Sequence, residues 1–461
     1  MKVMKFGGGC LKDAESVVRV AEIIRSERTR PVIVVSAVSG VTDRLLESLL
    51  KAQSHERNIP LSIRQIQEVH LNLIQKTVND QEVQKEVFQE IERYLKKVEK
   101  LLFGIAYTGE ATPAVRSHVL SFGERMAALI LSAVLRCRGM ESRPMESDRI
   151  GLVTDDTFEN ATVNLKEFKK RFRPFARSIA KGKSIPVITG FFGCTPDGKT
   201  ATFGRNGTDY SAAVIACGLQ AEELEIWKDV DGFMSTDPKI VPRASKIDRL
   251  SYYEAAELSY FGARILHPRT LEPLTGMKIS VRIKNIFDPQ SPGTEIRPQA
   301  YVRKDVVKSV TFNRQIALLR IHGPGVGYKP GIIGQVGRML STIGINIYSI
   351  LTSQTCINLL IDKKDARRSY EALRELQGGV IERVDLNEDV ALIAAVGEGL
   401  LRKKGLAARI FSAVSRVNVN MEMISTGASE VASYFVIGRA DTEKVIRALH
   451  REFFIDGSPV S

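Results

Sequence analysis

An internal repeat in about the last 150 residues constrains the fold of this chain more than any other feature of its sequence. Residues 316–376 align with residues 390–450 after a shift of 74 positions. Without a gap, the shift superimposes Gly323 on Gly397, Gly325 on Gly399, Gly331 on Gly405, Asn346 on Asn420, Ile350 on Ile424 and Thr352 on Thr426. Each copy has the pattern strand, glycine turn, amphipathic helix, strand, strand, helix, strand. The repeat therefore predicts two βαββαβ domains.

A βαββαβ domain leaves one face of its sheet without helices, and its edge strands present unpaired backbone groups. Copies of such a domain tend to pair edge to edge or face to face. We therefore predict a homodimer or a homotetramer assembled through these two domains.

Residues 1–297 alternate short β-branched runs with helical stretches, as in residues 31–38 followed by residues 43–52. This alternation is typical of a doubly wound, mainly parallel sheet. The chain has 461 residues, and chains longer than about 250–300 residues usually form more than one domain, each with its own hydrophobic core. We predict an α/β domain over 1–297, a linker over 298–310, and the two repeat domains over 311–384 and 385–461.

Composition excludes several classes of protein. The five cysteines are scattered and odd in number, which argues against a disulfide framework and a zinc site and favours a cytoplasmic location. We expect neither a secretory signal nor a membrane span of about 20 apolar residues. The formal charge of +13 is spread along the chain, so we expect no nucleic-acid partner. The densest basic cluster is predicted to be the solvated face of a helix, and comprises Lys166, Lys169, Lys170, Arg171, Arg173 and Arg177.

The first candidate site for phosphate lies at the amino terminus, in VMKFGGGCL. Lys5 ends a predicted strand, and Gly7, Gly8 and Gly9 form the turn before a helix that begins near Asp13. Glycines let backbone N–H groups approach phosphate oxygens, and the helix adds its positive end. Alternatively, the glycines only form the turn that connects the strand to the helix.

A second candidate is TFGRNGTDYSAA, where Arg205 lies in a turn and Thr208 or Asp209 is predicted to cap a helix. Asp209 is either an N-cap or a carboxylate near the metal and the phosphates, and it can be both. The nearby GCTPDGKT matches the P-loop spacing, but its Pro-Asp-Gly turn and the β-like residues after it predict a β-hairpin instead.

SFGERM places Glu124 at the start of an otherwise apolar helix. Such an acid is either satisfied by the helix N-terminus or available for a cationic group of a ligand. EIWKDVDGFMSTDP reads as a strand followed by an acidic loop that could cover a nucleotide. None of the six histidines has a metal-ligand spacing, so we predict no metal site made by side chains alone.

Taken in order, these segments resemble the aspartate kinase family. The resemblance rests on KFGGGCL, VVSAVSGVTD, SFGERM, FGRNGTDYSAA, IWKDVDGFMSTDP, SYYEAAELSYFGARILHPRT and IKNIFDPQSPGT, and the two repeats are similar to its ACT domains. The α/β part is most similar to archaeal members and to the kinase part of bifunctional enzymes. The resemblance implies an amino-acid-kinase fold and a monofunctional enzyme that uses ATP with Mg²⁺ to phosphorylate L-aspartate.

The resemblance also implies roles for individual residues. Catalysis would involve Lys5, Arg205 and Asp209, and aspartate would contact Ser36, Thr42, Glu124 and Arg205. The nucleotide would contact Lys5, Gly7, Gly8, Gly9, Lys228, Asp229, Met234, Lys239 and Arg264. An amino-acid effector would contact Asn346, Ile347, Thr352, Asn420 and Thr426.

The chain departs from the family at three places. Gly9, Cys10 and Leu11 replace the usual Thr-Ser-Val, Met234 replaces a common tyrosine, and Thr352 and Thr426 replace glutamines of the effector loops. Because Tyr348 and Gln354 offer no carboxylate for a lysine side chain, we expect either threonine or no effector at all, with threonine favoured over lysine. Two alternatives stay open, namely an acetylglutamate or glutamate kinase and a non-catalytic amino-acid sensor.

Overall fold

The computed structural model describes residues 1–263, 265–302 and 306–455. Contacts divide these residues into two compact units. The first unit comprises Met1–Phe233, Asp248–Tyr252 and Ile265–Ala300. The second unit comprises Met234–Ile247 and the described parts of Tyr253–Arg264 and Tyr301–Ser461.

The first unit is built on an eight-stranded sheet with the order β3-β4-β2-β1-β7-β9-β10-β8. Its pairs are parallel except that β10 runs antiparallel to β9. The strands of this unit, including the separate hairpin of β5 and β6, are β1 (Lys2–Phe6), β2 (Val32–Val35), β3 (Ser142–Met145), β4 (Ile185–Thr189), β5 (Phe192–Cys194), β6 (Thr200–Thr202), β7 (Glu223–Lys228), β8 (Arg249–Ser251), β9 (Ser280–Asn285) and β10 (Thr294–Arg297). The mainly parallel α/β fold is confirmed. The hairpin predicted for GCTPDGKT is also confirmed, since β5 pairs with β6.

Helices cover this sheet. They are α1 (Ala14–Arg25), α2 (Val41–Ser54), α3 (Ile59–Thr77), α4 (Gln81–Thr108), α5 (Pro113–Leu120), α6 (Phe122–Arg136), α7 (Leu165–Lys181) and α8 (Gly207–Leu219). The predicted basic cluster lies on α7, and its six side chains are exposed while Phe168 and Phe172 are buried. The prediction of a solvated basic face is thus confirmed.

One helical stretch is more apolar than the sequence analysis expected. Pro113–Arg136 is long and apolar enough to cross a membrane, but 89% of its most apolar part is buried inside the structure. A core helix of a globular domain gives the same pattern, and α6 packs in the core with residues such as Met126, Ile130 and Leu131 buried.

The second unit contains the two repeats. Its elements are α9, which begins in the first unit (Tyr252–Tyr260), β11 (Ser309–Asn313), β12 (Ile316–His322), α10 (Ile332–Thr342), β13 (Ile347–Thr352), β14 (Cys356–Asp362), α11 (Ala366–Arg374), β15 (Arg383–Asn387), β16 (Val390–Val396), α12 (Leu406–Arg416), β17 (Met421–Thr426), β18 (Ala432–Gly438) and α13 (Thr442–Phe454). The shift of 74 residues holds without a gap from β12 and β16 through β13 and β17. The repeat predicted from the sequence is therefore present in the structure.

Strand pairing in the repeats departs from the predicted domain boundaries. The first sheet has the order β13-β14-β12-β15 and the second has the order β11-β16-β18-β17. The second repeat thus takes its fourth strand from β11, which precedes the first repeat and begins inside the predicted linker. β15 completes the first sheet and extends beyond residue 384. A sequence repeat shows which segments are alike but not which strand satisfies the open edge of another.

Candidate active site

Four parallel strands of the first unit end at the same edge of its sheet, where they surround a cavity of about 380 Å³. The strands β1, β2, β4 and β7 are followed there by Gly7, Ser36, Gly190 and Asp229. Open α/β sheets bind ligands outside the carboxyl ends of their strands. This cavity is therefore the candidate active site.

Asp209 lies at the centre of a buried group of charges in the cavity. Lys5 Nζ lies 2.6 Å from Asp209 Oδ1, and Lys228 Nζ lies 3.2 Å from Asp209 Oδ2. Burial alone would raise the pKa of Asp209, but the two ammonium groups outweigh it and hold this pKa below its usual range. Asp209 is therefore a carboxylate at neutral pH, and the three side chains together carry one surplus positive charge.

The glycine turn lies directly beside Lys5. A Cβ added to Gly7 would lie 3.2 Å from Lys5 Nζ, and one added to Gly8 would lie 3.3 Å from the carbonyl oxygen of Ala37. Side chains here would fill the space that a ligand needs, so the glycines keep the backbone accessible. Next to the turn, the Cys10 thiol donates to the carbonyl oxygen of Trp227 at 3.1 Å, and burial raises its pKa to about 11. The helix predicted near Asp13 is confirmed as α1, which Asp13 caps by accepting the Ser16 N–H.

Glu124, in the first turn of α6, supplies a second buried carboxyl group to the cavity. Its Oε1 accepts the Ala37 N–H at 2.9 Å, whereas its Oε2 has no hydrogen-bond partner among the described residues. Burial raises the pKa of Glu124 to about 8 in spite of that hydrogen bond. The group is therefore mostly neutral at pH 7, and a cation bound beside it would ionise it.

The turn before α8 differs from its prediction in two respects. Asn206, with a left-handed φ of 56°, is the N-cap of α8, and Thr208 and Asp209 lie inside the first turn instead of capping it. The side chain of Asp209 is directed to the lysines of β1 and β7, which the sequence pattern of a cap could not reveal. Arg205 is exposed in the turn and is not among the residues that line the cavity.

The other predicted site residues fall into three groups. Gly9, Ser36, Thr42 and Asp229 line the cavity with the residues described above. Met234 and Lys239 belong to the second unit, so their nucleotide contacts stay predictions. Arg264 lies outside the described residues.

The predicted effector residues belong to equivalent positions of the two repeats. Ile347 and Thr352 are the ends of β13, and Thr426 ends β17, so these residues lie on edge strands. Asn346 and Asn420 precede these two strands and are exposed. Their role in binding stays a prediction.

Sequence reasoning missed several residues that line the cavity. They include Asp43, Phe191 and Asn206. Phe191 has a φ of 73°, which is uncommon for a bulky residue, and no local pattern marks it. Asp43 could have been noticed, because it follows SGVT in the first turn of α2, where a carboxylate is common.

Comparison with known proteins adds independent evidence. Residues 1–285 match the amino acid kinase family, and residues 393–453 match an ACT domain. Aspartokinase 1, chloroplastic, of Arabidopsis thaliana is 32% identical over 99% of this chain and 80% of its own length. Aspartokinase 2, chloroplastic, of the same plant is 33% identical over 98% of this chain and 84% of its own length.

The similar solved structures are also aspartokinases. E. coli aspartokinase III in complex with aspartate and ADP, in its R-state, has a TM-score of 0.85 and 28% identity, and the match covers 98% of this chain and 100% of that chain. The same enzyme in complex with lysine and aspartate, in its T-state, has a TM-score of 0.81 over 98% of this chain and 99% of that chain. With its kinase family domain, its ACT domain and its phosphate-suited cavity, the chain belongs to the aspartokinase family of phosphotransferases.

Proposed function

We propose that the cavity of the first unit binds ATP and L-aspartate and transfers the γ-phosphoryl group to the side-chain carboxylate, which yields ADP and 4-phospho-L-aspartate. This reaction opens the synthesis of lysine, threonine and methionine. The observation that carries the proposal is the pairing of Lys5 and Lys228 with one buried carboxylate, Asp209, beside a glycine turn. The surplus positive charge suits a phosphate chain.

The chemistry needs charge neutralisation more than a base. A free carboxylate with a pKa near ~3.9 is already ionised at pH 7, so no residue has to remove a proton from the acceptor. The barrier arises because one anion approaches another. Lys5, Lys228 and the backbone N–H groups of the glycine turn stabilise this charge and hold the phosphoryl group in line with the acceptor. The lack of a histidine among the residues that line the cavity agrees with this mechanism.

Magnesium fits the carboxylates of the cavity. Mg²⁺ is usually held by one or two carboxylates together with substrate phosphates, and the described residues contain no group of three or more acidic, histidine or cysteine side chains that could hold a metal alone. Asp229 would hold Mg²⁺ that arrives with ATP, while Asp209, whose two oxygens already face Lys5 and Lys228, would lie near the ion. Bound there, the ion would neutralise charge on the phosphates.

Aspartate would be recognised at both of its ends. The unpartnered Oε2 of Glu124 would accept the substrate ammonium group, and Ser36 and Thr42 line the wall nearby. Arg205 would bind a substrate carboxylate after its exposed side chain turns toward the cavity. An acetylated amine has no charge for Glu124, which disfavours an acetylglutamate kinase.

Trapping of the product with hydroxylamine tests the proposal. The protein is incubated with ATP, Mg²⁺, hydroxylamine and one acid at a time: L-aspartate, L-glutamate, N-acetyl-L-aspartate or N-acetyl-L-glutamate. We expect hydroxamate with L-aspartate alone. Hydroxamate with another acid would reassign the substrate, and none with any acid would favour a non-catalytic sensor.

We further propose that the repeats bind an amino-acid effector, with threonine preferred over lysine, and join chains into a homodimer or homotetramer. In the first repeat, β13 has a bulge at Tyr348 and offers no carboxylate there. In the second, the equivalent bulge holds Glu422, which is already paired with Arg320 at 2.7 Å. Inhibition by threonine but not lysine would support this preference, and light scattering would give the oligomer size.

The location of the chain is proposed as cytoplasmic. Its five cysteines are free thiols in the structure, which agrees with a reducing compartment. Fractionation of cells that produce the native protein would test this assignment.

A further inference from the structure

Two consecutive residues at the start of α6 are directed to different surroundings. Glu124 reaches the cavity, where it accepts the Ala37 N–H. The Arg125 side chain is 6% exposed, and its guanidinium group lies 2.5 Å from Glu146 Oε2 and 2.5 Å from Asp148 Oδ2. Its Nε donates to Ser121 Oγ at 3.3 Å, and the group lies 4.6 Å from the centre of the Phe192 ring.

Glu146, and the serine between it and Asp148, are held by further hydrogen bonds. Tyr94 OH donates to Glu146 Oε1 at 2.6 Å. Between the two acids, Ser147 N–H donates to Thr189 Oγ1 at 2.9 Å, and Ser147 Oγ donates to the Phe192 carbonyl oxygen at 2.7 Å. Arg125 therefore ties the first turn of α6 to the ends of β3 and β4.

This tie matters because α6 has little freedom on the cavity side. A Cβ added to Gly123 would lie 2.7 Å from the Cβ of Ala37, so the helix directly abuts the loop after β2. A small rotation of α6 would change the hydrogen bond of Glu124 with Ala37 and the direction of its free oxygen. A displacement of about 1 Å in a binding group can cost two orders of magnitude in rate.

We infer that Arg125 is a positioning residue for the reaction, which holds Glu124 in the orientation that binds the substrate ammonium group. This inference rests on the proposed role of Glu124 in aspartate binding. Arg125 acts in two ways. Its bonds to Glu146 and Asp148 fix the rotation of α6, and its positive charge favours the ionised form of Glu124.

Kinetics of Arg125→Met and Arg125→Lys test the inference. A cavity of about 350 Å³ borders Arg125, so neither side chain has to displace its neighbours. We expect Arg125→Met to raise the KM for aspartate about tenfold or more and to change the KM for ATP less than twofold. Because the variant lacks the positive charge that favours ionised Glu124, the KM for aspartate should reach its low value only at a higher pH than in wild type. Arg125→Lys keeps the charge and should recover at least half of the loss.

Arg149→Met is the matched control. Arg149 also pairs with Glu146, but its side chain is 76% exposed and it does not belong to α6. We expect the KM for aspartate to change less than twofold in this variant. A loss equal to that of Arg125→Met would show that any disturbance of Glu146 suffices, and would overturn the inference.

A double-mutant cycle separates this inference from the proposed function. If Arg125 acts through Glu124, Arg125→Met adds less than threefold to the KM for aspartate in the Glu124→Gln background. A full additional tenfold loss there would overturn the inference. If Glu124→Gln alone leaves the KM unchanged, the proposed role of Glu124 fails instead. Should Arg125→Met not fold, Asp148→Asn gives the same test, with an expected increase of about threefold.

Discussion

Two of the buried groups of opposite charges among the described residues differ in composition and surroundings. In the first unit, Asp209 is shared by Lys5 and Lys228 and the group borders a cavity. In the second unit, Lys308 Nζ lies 2.7 Å from Glu254 Oε2, and both side chains are fully buried. Glu254 Oε1 also accepts the Glu398 N–H at 2.7 Å. The first group pairs two lysines with one aspartate, whereas the second contains an ion pair of one lysine and one glutamate.

This difference distinguishes a ligand-binding site from an ion pair that only stabilises the fold. The pair of Lys308 and Glu254 is fully buried, so a ligand cannot reach it, and its hydrogen bonds hold segments of the second unit together. The group of Lys5, Lys228 and Asp209 has a surplus positive charge at the edge of a cavity, where an anionic ligand can reach it. Burial of charged residues alone therefore does not identify a functional site; the surplus charge and the adjoining space do.

The largest effect on stability is expected at the enclosed pair. Lys308→Met removes the ammonium group that lies 2.7 Å from the buried Glu254 carboxylate, which should lower the free energy of unfolding by about 3–5 kcal/mol. Denaturant unfolding measures this loss, and kcat below the unfolding transition should stay within threefold. Lys308→Met combined with Glu254→Gln removes both charges and should recover most of the stability. No recovery would mean that the pair does not act as a balanced unit.

The largest effect on catalysis is expected at the open group. Lys5→Ala removes a preorganised cation beside the phosphate site and should lower kcat about 10²–10³-fold. Its effect on the free energy of unfolding should be smaller than that of Lys308→Met, because Asp209 keeps Lys228 and the cavity admits water. Steady-state kinetics and unfolding of the same preparation check both statements. A fall in kcat of less than threefold would remove Lys5 from the mechanism.

The buried carboxyl group of Glu124 should make stability depend on pH. Because burial raises its pKa to about 8 from 4.5, the folded protein keeps a proton that the unfolded chain releases, so stability falls as pH rises between these values. In Glu124→Gln, the free energy of unfolding should decrease less over this pH range, by an amount on the order of a few kcal/mol. Denaturant unfolding of wild type and Glu124→Gln at pH 5 and pH 8 measures this effect. An equal change in the free energy of unfolding between the two pH values for both proteins would contradict the prediction.

Glu124 also predicts how aspartate binding responds to pH. Binding of the substrate ammonium ionises the carboxyl group, so wild type should release up to one proton per site at pH 7, and Glu124→Gln should lose this release. The variant should raise the KM for aspartate and spare ATP binding. Calorimetry in two buffers of different ionisation enthalpy counts the protons. Equal losses for both ligands would contradict the assignment.

The smallest effect is expected for charges that are neither buried nor beside a cavity. Lys166→Ser with Arg173→Ser on the exposed face of α7 should change the free energy of unfolding by less than about 0.5 kcal/mol per site. kcat should not change. A large loss in either measurement would show that this basic face has a partner or a contact that exposure does not reveal.

Local patterns predicted most of the candidate site. Lys5 and Gly7 were recognisable because a strand, a glycine turn and a helix follow one another directly in the sequence, and Glu124 because an acid begins an apolar helix. Patterns of this kind record which residue types a short segment needs. They could not show that Asp209 faces Lys5 and Lys228, since these residues meet only when β1, β7 and α8 pack together. Asn206 and Phe191 were missed for the same reason.

The sequence by itself determined the alternation of strands and helices, the repeat and the family, because hydrophobic period, glycine positions and family motifs are properties of local segments. Only the tertiary structure decided which strand completes each repeat, with β11 pairing with β16 and β15 with β12. It also decided which buried charges stay unbalanced. Both outcomes depend on contacts between residues that are far apart in the chain. Buried backbone groups and charged side chains need partners there, and the tertiary structure determines which partners are near.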